Sequence, residues 1–217
     1  LVGKVYGVPC YQFLGGKYRD KVRIYADTPA PEDSTPEGYA KRVAERKALG
    51  LTFIKFDIRP QLFSDVEGVL AGQPTKYQYD YGTRWNAPGT RPGTGVTDRG
   101  IARAMEVVAA VREAAGWEIS LCTDHFGHGY MTAKEVIQLA KVLEPYGLAW
   151  MEDPMPWYDV DGHKRVTDAI NVPIAAGENL YLWDGFRDFI EQRAIDIIHP
   201  DLLTSGGMLE TKKIADY

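Results

Sequence analysis

The sequence has few cysteines, no long apolar run and no excess of positive charge. Only 2 of its 217 residues are cysteine, and its formal net charge is -5. So few cysteines are typical of a reducing compartment, and Cys122, in an apolar run, is predicted to be a buried thiol. The negative charge gives no support for a nucleic-acid or anionic-membrane partner. No stretch approaches the roughly 20 apolar residues that cross a bilayer, and no signal peptide is recognisable, so we expect a cytoplasmic protein.

Beyond about residue 20, short apolar runs alternate with stretches of helical periodicity. The runs are nearly continuous in apolar residues, as in strands that are buried on both faces. Strands that alternate with helices are typical of βα units, which form parallel sheets. The predicted strands span 22–27, 53–58, 118–124, 148–152, 172–177 and 195–200.

Helices are predicted between these strands from capping residues and apolar stripes. Thr35-Pro36-Glu37 combines a capping residue, a proline in the first turn and an acidic residue, which is the pattern of a helix start. The other stretches have apolar residues at helical spacing. They lie at 101–111, 132–143, 186–190 and 207–217.

About six βα units are predicted, fewer than the eight that close a (β/α)₈ barrel. Two α/β architectures remain open: an incomplete barrel, or an open doubly wound sheet, which needs no closure. Acidic residues mark the ends of several successive strands rather than a single switch point. This favours an α/β fold with a (β/α)₈ TIM-type barrel that is incomplete in this chain.

The alternation of strands and helices is interrupted at residues 59–99 by a stretch rich in glycine, proline and tyrosine. A loop of about forty residues inside a compact domain is usually functional or disordered. Aromatic residues are enriched at interfaces, and this loop contains Tyr77, Tyr79, Tyr81 and Trp85. We therefore expect a loop insertion that covers the barrel mouth or a subunit interface, and we expect the protein to be a homo-oligomer.

Four acidic residues close successive predicted strands and are 28, 26 and 23 residues apart, about one βα unit each. They are Asp124, Glu152, Glu178 and Asp201. In a barrel, this spacing brings them together at the C-terminal rim, where active sites lie. Any one of them could be an ordinary turn or capping residue. Carboxylates that converge in a partly dry site repel one another unless a cation lies between them, and oxygen ligands favour Mg²⁺.

Further charged residues lie beside this series. Lys55 and Asp57 are two residues apart in the second predicted strand and therefore share a face. A charged pair in an apolar strand is costly outside a polar site, so they belong either to the active site or to a structural ion pair at the barrel mouth. Asp153 directly follows Glu152, and we expect its side chain to point away from the site.

The histidines allow several interpretations, because a single histidine is more often structural than catalytic. His128 lies in the loop after the third strand and could reach the site. His199 lies two residues before Asp201 and shares its face, so it could line the barrel interior. His163 lies in a charged helical stretch and is predicted to be solvated.

The segments IKFD, CTDHFGH, WMEDP, AAGEN and HPDLLTSGG, in this order and spacing, resemble the enolase superfamily. The likeness is greatest to its mandelate racemase-like branch with the sugar-acid dehydratases, and it covers nearly the whole chain. Residues 1–21 resemble the junction between that family's capping domain and its barrel. The resemblance therefore implies a partial barrel domain at 22–217 with an insertion at 59–99, and a capping domain that we expect to be absent from this chain.

The resemblance also implies roles for individual residues. Lys55 matches the first lysine of a lysine-x-lysine motif, whereas Asp57 stands where the second lysine, usually a base, would be. Asp201 matches the acid of a histidine–aspartate dyad whose histidine lies on the next strand, beyond this chain. The implied ligands of a Mg²⁺ ion that stabilises an enolate are Asp124, Glu152 and Glu178.

The implied function is that of a Mg²⁺-dependent lyase acting on an acid sugar. A base removes the proton next to the substrate carboxylate and an acid helps expel the β-hydroxyl group as water, which yields a 2-keto-3-deoxy acid. The candidate bases are His199, His128 and the dyad histidine. Two alternatives remain open: racemisation, epimerisation or cycloisomerisation through the same intermediate, and a non-catalytic metal-binding barrel subunit.

Overall fold

The structure is a computed structural model that describes residues 1–58, 66–71, 95–124 and 131–217. Its strands are, in chain order, β1 Ala26–Thr28, β2 Phe53–Asp57, β3 Leu70–Ala71, β4 Gly95–Val96, β5 Ser120–Asp124, β6 Leu148–Glu152, β7 Ile174–Ala176 and β8 Ile197–Ile198. Its α-helices are α1 Val2–Tyr6, α2 Pro36–Ala48, α3 Asp98–Ala115, α4 Ala133–Leu143, α5 Val160–Thr167, α6 Leu182–Glu191 and α7 Met208–Asp216. Short 3₁₀ helices span Cys10–Leu14 and Glu144–Tyr146.

Six of these strands form one parallel sheet in the order β1-β2-β5-β6-β7-β8. Spatial order follows chain order, so each βα unit adds its strand on the same side of the previous one. This is the connectivity of a barrel, whereas a doubly wound sheet reverses direction at a switch point. The prediction of an α/β, TIM-type barrel is therefore confirmed. Strands β1 and β8 are the two ends of this sheet, so the barrel is incomplete within the described residues.

The predicted strands are confirmed, although most are shorter than their apolar runs. At β1 the reason is the pairing register, in which Ala26 lies opposite Ile54. This register places residues 22–24 opposite residues that precede β2, where the described part of the chain offers no strand to pair with. The short strands still carry the expected residues at their carboxyl ends, which is what the site requires.

The insertion is described only at its two ends. There, β3 and β4 form an antiparallel pair, with Leu70 opposite Val96. The hydroxyl group of Thr97 donates to the carbonyl groups of Gly68 and Val69 at 2.7 and 3.0 Å. The four aromatic residues on which the lid or interface prediction depends lie outside the described residues, and that role stays a prediction.

Side-chain caps begin several of the helices, including the helix start that the sequence predicts at Thr35. Thr35 accepts a hydrogen bond from the amide of Gly38 at 3.0 Å at the start of α2. At the start of α4, Thr132 and Glu135 form both bonds of a capping box. None of the helices among the described residues is long and apolar enough to cross a membrane.

The helices pack against one face of the sheet and enclose the main core. On β2, the buried Ile54 and Phe56 belong to this core, and Phe56 contacts the ring of Tyr39 from α2 at 6.4 Å between centroids. Because side chains alternate along a strand, Lys55 and Asp57 point to the opposite face. The apolar face thus fixes the sheet against the helices, and the other face is left for the polar site.

The sequence makes a prediction about the burial of Cys122 and of His163, which lie outside the proposed ligand set. Cys122 is fully buried, as predicted, and burial raises the pKa of its thiol. His163, by contrast, is also fully buried, so the prediction that it is solvated is wrong. It lies three residues before the buried Val166 on the inner face of α5, and its ring contacts Phe189 of α6 at 5.2 Å.

Candidate active site

The acidic residues of the series lie at or just beyond the carboxyl ends of parallel strands. Asp124 is the last residue of β5 and Glu152 is the last residue of β6, whereas Glu178 and Asp201 follow β7 and β8 within a few residues. Asp57, the last residue of β2, is paired in register with Asp124. Parallel strands bring these ends to one edge of the sheet, as the sequence predicts.

Three carboxyl groups converge at this edge. Oxygen atoms of Asp124, Glu152 and Asp153 lie within 4.8 Å of one another, and all three residues are buried. The expectation that Asp153 points away is therefore wrong. Its φ of 47° is not that of an extended strand, so the strand alternation behind that expectation ends at Glu152.

Glu178 lies beside this group without belonging to the three that come within 4.8 Å of one another. It is half-buried and accepts a hydrogen bond from the side chain of Asn179 at 3.3 Å. Burial raises the pKa of Asp153 well above its usual range, and the charges of Glu178 and Glu152 raise it further. Glu178 is thus close enough to act electrostatically on the group.

Lys55 supplies the positive charge in this cluster. Its buried ammonium forms ion pairs with Asp124 and with Glu152, the latter at 3.3 Å. Burial by itself lowers the pKa of Lys55, but the charges of Asp124 and Glu152 outweigh it and raise the pKa above its ordinary value. The lysine is therefore held as a cation, with the ring of Tyr25 5.1 Å from its nitrogen.

Glu152 accepts hydrogen bonds from several side chains. His199 Nδ1 lies 2.6 Å from Glu152 Oε1, and the indole nitrogen of Trp150 donates to Glu152 Oε2 at 3.2 Å. On the far side of the imidazole, the hydroxyl group of Tyr25 lies 3.2 Å from His199 Nε2. The hydrogen bond to Glu152 raises the pKa of His199.

Sequence reasoning missed Tyr25 and Trp150. Trp150 has a detectable signal, because it lies two residues before Glu152 and therefore shares its face of β6. Tyr25 precedes β1 and reaches His199 from the other end of the sheet. A contact between residues that are 174 positions apart leaves no local pattern in the sequence.

Asp201 does not join the cluster of buried carboxyl groups. Asp201 is exposed, and its carboxylate accepts the backbone N–H groups of Leu203 and Thr204, each at 2.8 Å. These two bonds lower the pKa of Asp201, as in a turn cap. His128 lies outside the described residues, so its role stays a prediction.

The residues at this edge fit a hard divalent cation. Among the described residues, the Oδ2 atom of Asp153 is buried without a hydrogen-bond partner, beside two further buried carboxylates. A buried carboxylate oxygen in that position is costly unless positive charge offsets it. Because the set of donors consists of carboxylate oxygens, it suits Mg²⁺ better than Zn²⁺.

Comparison with known proteins identifies the family. A D-xylonate dehydratase from Haloferax volcanii is 38% identical over 219 aligned residues, which cover 100% of this chain and 47% of that protein. A D-galactarolactone cycloisomerase from Agrobacterium fabrum is 30% identical, with coverage of 99% of this chain and 47% of that protein. The chain thus spans about half the length of these curated relatives.

Solved structures and a family profile agree with the fold. The crystal structure of a mandelate racemase/muconate lactonizing enzyme-like protein from Rubrobacter xylanophilus is similar with a TM-score of 0.76 and 30% identity, over 100% of this chain and 52% of that one. The profile of the Enolase C-terminal domain-like family matches residues 38–217. The chain belongs to this family, within the mandelate racemase-like branch of the enolase superfamily.

Proposed function

We propose that the enzyme containing this chain uses Mg²⁺ to dehydrate an acid sugar to a 2-keto-3-deoxy acid. The observation that carries the proposal is the group of buried carboxylates at the strand ends, with Lys55 held between two of them. Relatives named as dehydratases give additional support. The substrate and the metal are part of the proposal, because the chain spans about half the length of these relatives.

In this proposal Asp124, Glu152 and Glu178 hold the ion, with Asp153 beside them. A bound Mg²⁺ supplies positive charge that offsets the negative charge developing on the substrate carboxylate. Lys55 adds to that effect from the chain itself, because its raised pKa keeps it protonated. The burial of these groups strengthens each interaction, since the surroundings screen charge less than water does.

A histidine then accepts the proton from the carbon next to the carboxylate. The electron pair of that C–H bond forms the enolate, and the C–O bond of the β-hydroxyl group breaks as an acid delivers a proton to the departing oxygen. The resulting enol converts to the 2-keto product. Since Asp57 stands where a second lysine would be, we assign the proton-accepting base to the histidine side, oriented by Asp201.

A cycloisomerase is the second candidate, because a protein named for that reaction is 30% identical to this chain. It would use the same carboxylates and the same loss of a proton, but an internal oxygen of the substrate would take part instead of water leaving. Racemisation needs a second base on the opposite face. A non-catalytic metal-binding subunit is the remaining alternative, and a buried set of carboxylates around a cationic lysine argues against it.

The experiment is a panel of acid sugars and their lactones incubated with the enzyme and Mg²⁺. A 2-keto product supports dehydration, an isomeric product without loss of water supports cycloisomerisation, and binding without turnover supports the non-catalytic subunit. Glu152→Gln is expected to abolish the product. Glu118→Gln is the matched control, because Glu118 is an exposed residue at the opposite end of β5.

The arrangement of the chain is part of the same proposal. We assign residues 1–21 to a junction with a capping domain and residues 22–217 to the barrel, with an insertion at 59–99. We also propose that the enzyme is a homo-oligomer. Light scattering on the purified protein tests this, and a monomer at all concentrations would contradict it.

A further inference from the structure

A continuous chain of hydrogen bonds leads from Tyr25 through His199 to Glu152. The phenolic oxygen of Tyr25 lies 3.2 Å from His199 Nε2, and His199 Nδ1 lies 2.6 Å from Glu152 Oε1. These contacts join residues near β1, β8 and β6 across the sheet. Both ring nitrogens of His199 are therefore occupied by other side chains.

The direction of these bonds follows from the chemistry of the groups. A carboxylate only accepts hydrogen bonds, so His199 Nδ1 carries the hydrogen that is donated to Glu152. In the neutral imidazole, His199 Nε2 accepts from the hydroxyl group of Tyr25, and in the imidazolium it donates to the phenolic oxygen. In either form the imidazole has no free nitrogen with which to receive a proton from a substrate.

The surrounding contacts hold these hydrogen bonds in one geometry. The ring of Tyr25 makes edge contacts with Phe53 at 6.2 Å and with Trp150 at 5.7 Å between centroids. Trp150 also donates to the second oxygen of Glu152 at 3.2 Å. Glu152 is thus oriented through both of its oxygens, by groups that are themselves packed in place.

We propose that Tyr25 and His199 are positioning residues that orient Glu152 for metal binding, and that His199 is not the base of the reaction. The inference rests on the proposed function, because it takes Glu152 as a ligand. Partners that orient a metal ligand typically change metal affinity by about 10- to 100-fold when they are removed. Tyr25 contacts His199 rather than Glu152, so removing its hydroxyl group affects Glu152 only through His199. The loss is that of a single hydrogen bond.

The experiment measures the affinity for Mn²⁺ by electron paramagnetic resonance, in the absence of substrate. His199→Leu should weaken binding by at least about 10-fold. His199→Asn places an amide donor at the Nδ1 position and should recover most of the affinity. Tyr25→Phe should weaken binding by about fivefold, as expected for one hydrogen bond. Tyr217→Phe is the matched control, because it removes a hydroxyl group bound to Glu191, on α6, and should leave the affinity unchanged.

Turnover separates a positioning residue from a base. An asparagine cannot accept the proton, so a catalytic His199 predicts that His199→Asn loses turnover as completely as His199→Leu. A positioning His199 predicts that His199→Asn keeps a substantial share of kcat once Mg²⁺ is saturating. Total loss in both variants with normal Mn²⁺ affinity would overturn the assignment.

The same measurements distinguish this inference from the proposed function. Failure of the wild-type protein to bind Mn²⁺ would contradict the metal-dependent function and this assignment together. Normal Mn²⁺ binding by the wild type with unchanged affinity in His199→Leu and Tyr25→Phe would contradict the assignment alone. Thermal unfolding of each variant, compared with wild type, identifies any loss that comes from misfolding.

Discussion

The ammonium nitrogen of Lys55 lies 3.3 Å from Glu152 Oε2, and both side chains are buried. Replacing Lys55 with methionine keeps much of the side-chain volume and removes the only positive charge of this pair. In the absence of metal, we expect Lys55→Met to lower the free energy of unfolding by about 3 kcal/mol, because buried carboxylates lose their counterion. Urea unfolding measures this loss, and added Mg²⁺ should restore part of it.

A matched control for Lys55→Met is Lys17→Met. Lys17 also forms an ion pair, with Asp20, but both side chains of this pair are exposed to solvent. Exposed ion pairs contribute little to stability because water and salt screen them. Comparable destabilisation by the two variants, or no response of Lys55→Met to Mg²⁺, would contradict the view that Lys55 neutralises a cation site.

Glu178 and Asp153 are the two candidates for the third metal ligand. The resemblance to the enolase superfamily assigns this role to Glu178, whereas the group of carboxylates that lie closest together contains Asp153. The matched amide variants keep the size of each side chain and remove its carboxylate charge. We expect Glu178→Gln to weaken Mg²⁺ binding by at least about 10-fold and Asp153→Asn by less than about threefold, measured by calorimetry. The reverse order would make Asp153 the ligand.

Much of the fold could be predicted from the sequence, because strands buried on both faces have continuous apolar runs. The runs around Ile54, Leu121 and Met151 each predicted a strand at the right place. The pair β3 and β4 could not be predicted, since strands of two residues have no periodicity. The buried position of His163 was also missed, because its charged neighbours in sequence lie on the other face of the helix.

The site was predictable only where it depends on strand register. Asp124, Glu152 and Lys55 come together because equivalent positions of parallel strands meet at one edge of the sheet. Asp153 turns into the cluster because of its positive φ angle, and no pattern in the sequence predicts that angle. The contact of Tyr25 with His199 depends on how the two ends of the sheet approach each other.

His163 should make stability depend on pH. Burial lowers its pKa in the folded protein below the ordinary value of about 6.5. Below about pH 6.5 the unfolded chain therefore binds more protons, and stability falls as pH falls, by up to about 1.4 kcal/mol per pH unit. His163→Asn keeps a donor for the carbonyl of Asp159 and removes the titration. Urea unfolding from pH 5 to 8 should show a shallower dependence in this variant, and identical slopes would contradict the prediction.

Arg112 should be a major stabilising residue outside the site. It is 5% exposed, and its guanidinium donates to the backbone carbonyl groups of Gly116, Ile119, Tyr146 and Gly147. It thereby ties the end of α3 to the start of β5 and to the turn before β6. We expect Arg112→Met to lower the free energy of unfolding by about 3 kcal/mol, and Arg112→Lys to recover little of it, because an ammonium cannot match the planar donors.

The control for Arg112 is Arg42→Met on the surface of α2. Arg42 forms an exposed ion pair with Glu45, three residues later. Its removal should change stability little, because water and salt screen exposed ion pairs. Full recovery of stability in Arg112→Lys would contradict the view that the shape of the guanidinium group, rather than its charge, is required.

Asp201 either orients the histidine that accepts the proton or only caps the turn in which it lies. Its carboxylate accepts the amide N–H groups of Leu203 and Thr204, which are bonds that an asparagine oxygen can also accept. Asp201→Asn therefore keeps the turn and removes only the charge, whereas Asp201→Ala removes both. If Asp201 orients the histidine that accepts the proton, Asp201→Asn lowers kcat sharply and leaves Mg²⁺ affinity nearly intact, because a carboxylate holds the histidine in the correct tautomer.

A residue that only caps the turn predicts the opposite pattern. Asp201→Asn would then keep wild-type turnover, and only Asp201→Ala would lose stability. Exchange of the α-proton in deuterated water supplies a second readout, because a single base exchanges the proton of one configuration at that carbon. Asp57 in place of a second lysine leaves the Lys55 side with a cation instead of a base, so we expect one epimer to exchange and the other not. Equal exchange of both epimers would rule out the one-base scheme.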